Sequence, residues 1–135
     1  MQQPIRIIIA EEPVALARSR VTFNNGKVHS YLPEKSLTAM AAIKVRLVRY
    51  QERMFRKGIA VKVTLGFYRS KSKWLPRHET LPFRKPDLDN MIKLVCDASV
   101  GYLFEDDSQI TTLSARKRWT TKNYGYITIK VEQDK

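Results

Sequence analysis

Ile59-Ala60-Val61-Lys62-Val63-Thr64-Leu65-Gly66-Phe67-Tyr68 alternates with the two-residue period of a β-strand, and the segments on either side of it read as helices. On the N-terminal side, residues 33–57 carry Leu37, Met40, Ala41, Ile43, Leu47, Val48 and Met54 near helical spacing. Lys44, Arg46, Arg49, Arg53 and Arg56 supply the wet side of that helix. Pro33 suits a first helical turn and Gly58 marks the stop. On the C-terminal side, residues 69–86 form a polar loop with three prolines, and residues 88–100 form a second helix ended by Gly101.

Further out, residues 5–10 are β-branched and bounded by Pro4 and Pro13, which reads as a strand. Asn24-Asn25-Gly26 between Val21-Thr22-Phe23 and Lys27-Val28-His29-Ser30-Tyr31 signals a hairpin. Residues 110–120 and 126–132 make two final strands, joined through Lys122-Asn123-Tyr124-Gly125. The order predicts a single domain over residues 1–135, of α+β class, with a mainly antiparallel sheet and two principal helices. No run approaches the roughly 18 apolar residues of a membrane span, and no signal-peptide pattern surrounds residues 5–10. One cysteine, Cys96, excludes an internal disulfide framework and a cysteine-based zinc site. These features predict an intracellular protein.

The charge is +12 at pH 7, which points to a polyanionic partner and foremost to nucleic acid. Its distribution says more. Residues 44–85 hold thirteen basic residues and two acids, whereas residues 86–108 hold six acids and one base, Lys93. Carboxylates have no use beside a phosphate-gripping segment unless a cation bridges them to phosphate.

Within the acidic window, Leu88, Met91, Ile92 and Val95 recur at helical intervals and face a core. Asp87 sits where the helix starts, and Asp89 shares a stripe with Lys93 and Asp97. Two carboxylates at a helix mouth can converge on one cation. They equally suit an N-cap and a surface ion pair between Asp89 and Lys93. Glu105-Asp106-Asp107 follows the helix, and a bound cation would relieve the mutual repulsion of three acids. A strand returning along a helix of only ~18 Å would bring this turn near the helix mouth; a solvated acidic turn is the other reading.

Together these residues resemble the RusA family of crossover-junction endodeoxyribonucleases, small basic proteins often carried by prophages. The resemblance rests on Arg84, Lys85, Asp87, Asp89, Asn90, Lys93, Asp97, Ala98, Gly101, Asp106, Asp107, Gln109 and Ile110, in that order and spacing. It implies that Asp87, Asp89 and Asp107 bind the metal, with Asp106 the alternative third acid, and that Lys93 is the catalytic lysine. It implies magnesium, or manganese, as the cofactor, and a homodimer acting on four-way DNA junctions by symmetric cuts.

Arg69, Lys71, Lys73, Arg77, Arg84 and Lys85 on the loop are expected to contact DNA phosphates, with Arg116-Lys117-Arg118 a further patch. Trp74 and Phe83 either pack this loop onto the core or stack on opened bases. His29 and His78 lack metal-ligand spacing and read as surface residues; Cys96 reads as core. Two rival functions remain: a non-catalytic basic nucleic-acid-binding module, which leaves the carboxylates unexplained, and a metal nuclease without junction specificity.

Overall fold

The computed structural model describes residues 1–17 and 20–135. Arg18, which with Arg20 extends the weaker resemblance toward the N-terminal hairpin, lies outside the described residues. Six strands and two α-helices follow in the order β1 (Ile5–Ile9), β2 (Arg20–Asn24), β3 (Lys27–Tyr31), α1 (Glu34–Leu47), β4 (Val61–Arg69), α2 (Leu88–Ser99), β5 (Ile110–Trp119) and β6 (Tyr126–Gln133). The predicted α+β class holds.

Four strands form one sheet in the order β1-β6-β4-β5, antiparallel except for the β4–β5 pair. That pair is parallel because the loop and α2 carry the chain back to the start of the sheet before β5 begins. One face is apolar: Ile5, Ile7 and Ile9 of β1, Val61, Val63, Leu65 and Phe67 of β4, and Ile127, Ile129 and Val131 of β6 are all buried. They share one core with Ile43 and Leu47 of α1 and with Met91, Leu94, Val95 and Ala98 of α2, so both helices cover this face. Segment 11–17 runs between the helices, with the Leu16 amide donating to Asn90 O and the Ala17 amide to Ser36 Oγ.

The long helix is shorter than expected. It ends at Leu47 and tightens into a 3₁₀ segment, Val48–Arg53, rather than continuing to residue 57. Its apolar stripe is also narrower, because Leu37 and Val48 are half-exposed while Ile43 and Leu47 carry the burial. The physical reason is Phe55. That ring is fully buried and its amide donates to Leu103 O, which a helix continued on the same axis would not allow.

The hairpin β2–β3 forms as expected around Asn25 and Gly26, both at positive φ. It stands as a separate two-stranded sheet with Val21, Phe23 and Val28 exposed. The register Val21↔Ser30 and Phe23↔Val28 puts those three apolar side chains on one face.

Candidate metal and DNA site

Asp87 is the N-cap residue of α2, in extended conformation, and its side chain makes no capping hydrogen bond. Its backbone carbonyl accepts from the Met91 amide, so the helix starts here while the carboxylate stays exposed. Asp89, in the first turn, is also exposed. The alternative Asp89–Lys93 ion pair does not form among the described residues. Lys93 reaches forward to Asp97 at 3.7 Å, leaving Asp89 without a basic partner among the described residues.

The acidic turn sorts its own members. Asp106 is the N-cap of a 3₁₀ turn, Asp107–Gln109, and accepts from the Ser108 amide at 3.2 Å. Gln109 Oε1 accepts from the Asp106 amide at 2.9 Å, closing a capping box. The buried Gln109 amide group donates to the carbonyls of Phe55, Arg56 and Ile59, clamping the turn to the chain leaving α1. Glu105 accepts from the Lys57 amide and pairs with Arg56 at 3.9 Å. Asp107 alone stays exposed without a basic partner among the described residues. Thus three of the six acids in the window, Asp97, Glu105 and Asp106, are used internally, and Asp87, Asp89 and Asp107 are left over.

Burial first, then the charges of Asp97 and Asp107, pushes the Cys96 thiol up to about 11. Among the described residues no three acid, histidine or cysteine side chains are gathered around one point that could hold a metal ion.

The basic loop divides in the same way. Lys71 Nζ donates to Glu79 O at 2.7 Å, and Arg84 pairs with the buried Glu79 carboxylate. The hydrogen bond from Arg84 holds Glu79 below its ordinary value of 4.5, against the opposing effect of burial. Arg69 donates to Pro13 O at 2.7 Å and pairs with Glu12. These three tie the loop down, whereas Lys73, Arg77 and Lys85 point into solvent.

Lys117 is the residue whose importance the sequence concealed. In the parallel register it stands opposite Phe67, on the helix-bearing face, while Arg116 and Arg118 point the other way. Its ammonium donates to Arg84 O and Pro86 O, both at 2.8 Å, and so fixes the cis Lys85–Pro86 turn from which Asp87 emerges. Burial and the Arg69 charge push its pKa down, with Asp87 opposing. Asp87, Lys85, Pro86 and Arg69 line one side of an open cleft of about 790 Å³ that Val14 and Pro33 close on the other.

Two comparisons bear on this arrangement. The family model for endodeoxyribonuclease RusA matches residues 11–132. The Bacillus subtilis (strain 168) protein named Uncharacterized protein YqaN is 32% identical over 123 residues, 84% of this chain and 86% of its own length.

Proposed function

Because the chain belongs to the RusA family of endodeoxyribonucleases, which act on Holliday junctions, we propose that it resolves four-way junctions by magnesium-dependent, paired incision. The observation that carries the metal reading is the sorting of the acidic window. The fold neutralises or caps Asp97, Glu105 and Asp106, and leaves Asp87, Asp89 and Asp107 without a basic partner among the described residues, Asp107 sharing a side-chain hydrogen bond with Asp106. Hard oxygen donors of this kind fit magnesium, and also manganese.

Asp87 and Asp89 would hold the ion from one subunit. Asp107, not gathered with these two around one point among the described residues, would complete the set from a second copy in a symmetric dimer. When bound, the ion supplies Lewis-acid polarisation of the scissile phosphate and activation of water. Lys93, exposed and paired with Asp97, would turn its ammonium to the phosphate as negative charge develops. Lys73, Arg77 and Lys85 would contact backbone phosphates, while Lys117 keeps the Asp87 turn in place. The second copy would also cover the apolar face of the β2–β3 hairpin, since an isolated hairpin is marginal in water.

The deciding experiment compares a four-way junction with a linear duplex of the same sequence, each with and without magnesium. Two symmetric cuts on the junction alone, only with magnesium, are expected. Equal cutting of the duplex would replace this reading with a nuclease lacking junction specificity. Tight binding without any cutting would leave a non-catalytic binding module.

A further inference from the structure

Trp74 and Phe83 are the two large aromatics of the basic loop, and neither is used to hold it. Trp74 is 84% exposed and Phe83 72% exposed. A packing aromatic looks different, as Trp119 shows: it is half-buried, its indole N–H donates to Glu79 O at 3.0 Å, and the Lys71 ammonium lies 5.7 Å from its ring. The loop is tied down by Lys71, by the Glu79–Arg84 pair, by Lys117 and by the Thr120 amide donating to Arg69 O. Each ring sits on a local turn: the Trp74 and Leu75 amides donate to Ser72, and the Phe83 amide donates to Leu81 O.

The chemistry beside each ring indicates what that is. The Lys73 ammonium lies 5.3 Å from the Trp74 ring and the Arg84 guanidinium 5.4 Å from the Phe83 ring. A ring with a cation over one face matches a nucleobase on its other face with the phosphate near the cation, whereas an apolar protein surface would leave the two cations unmatched. In an intact duplex every base face is already stacked on a neighbour. A free face exists only where stacking is interrupted, as at a crossover, and opening a pair there frees more of it.

We propose that Trp74 and Phe83 form a base-stacking wedge that receives nucleobases unpaired at the crossover of branched DNA. The proposal rests on the junction-directed reading above and adds the means by which the strand is presented. Phe83 is four residues from Asp87, a reach of at most about 14 Å, or roughly four B-form steps along one strand. A base held on Phe83 therefore places nearby phosphates within range of the free carboxylates.

The test omits divalent metal, so it is independent of cutting. A junction with A·T pairs at the crossover is bound by the protein and probed with permanganate, which oxidises thymines left unstacked on at least one face, as a thymine with a ring on one side only would be. Crossover thymines should become reactive with the unaltered protein and stay protected with Trp74→Ala or Phe83→Ala. Each of these variants should also weaken junction binding roughly tenfold. Affinity for a linear duplex should be unchanged, and Phe83→Tyr should restore opening where Phe83→Leu does not. Unreactive thymines on a fully bound junction would overturn the wedge, as would equal opening by Phe83→Leu or equal weakening toward duplex. A protein that cuts junctions with magnesium yet leaves these thymines unreactive disproves the wedge alone. One that opens the crossover and never cuts disproves the nuclease reading alone.

Discussion

At the scale of single residues, the site is a matter of which carboxylates the fold has left free. Replacing Asp87, Asp89 or Asp107 by Asn should abolish incision while junction binding stays equal or tightens, because each change removes negative charge beside phosphate. Asp106→Ala should act differently. Losing an N-cap costs about 1 kcal/mol of stability, and incision should survive at permissive temperature. Thermal melts beside cleavage assays separate the two outcomes, and normal cutting by Asp107→Asn would remove that residue from the ligand set. Lys93→Ala should lose catalysis far more than binding, since one ammonium is a small part of the grip of a protein carrying +12. Parallel single-turnover rates and binding isotherms would show it; equal losses in both would make Lys93 a phosphate anchor. The residue types of this site could be read from the sequence, because acids clustered beside a basic segment are visible in one dimension. Which acid was free could not. That depends on Gln109, whose side chain closes a capping box and grips three carbonyls some fifty residues earlier in the chain.

Among the elements, the loop between β4 and α2 is held by a buried carboxylate and is therefore sensitive to acid. Glu79 has a folded pKa below its ordinary 4.5, so its stabilising pair with Arg84 is fully present above 4.5 and is lost as pH falls through the lowered value. Because Trp119 donates to the Glu79 carbonyl, its emission should change in that acid window before the domain unfolds. Glu79→Gln should show the loosened loop already at neutral pH. An emission profile flat down to global unfolding would mean that the pair does not hold the loop. The strands, α2 and the hairpin turn were all legible from periodicity and from Asn25-Gly26. The end of α1 was not, because its exit is dictated by the burial of Phe55, a tertiary demand with no local signature. The same holds for the neighbours of β4: β5 and β6 are consecutive in the chain, yet they flank β4 instead of pairing with each other.

For the whole molecule, the proposed dimer, with its shared site and covered hairpin face, is open to test in solution. Sedimentation without DNA should give about twice 15.7 kDa at micromolar concentration. Phe23→Asp, which puts a charge on the hairpin's apolar face, should yield monomers that bind junctions weakly and do not cut them. Full activity from a stable monomer would refute the shared site. The sheet order has a consequence of another kind, in the making of the protein. β1 has β6 as its neighbour, with residues 10–125 between them, and β4 also needs β6 along its other edge. On the ribosome, Ile5, Ile7 and Ile9 emerge early and stay without their partner strand until residues 126–133 are made. At ordinary elongation rates that interval is on the order of ten seconds. Over that time the nascent chain displays a bare apolar strand, and holdase chaperones that grip such strands have their opening during translation rather than after it.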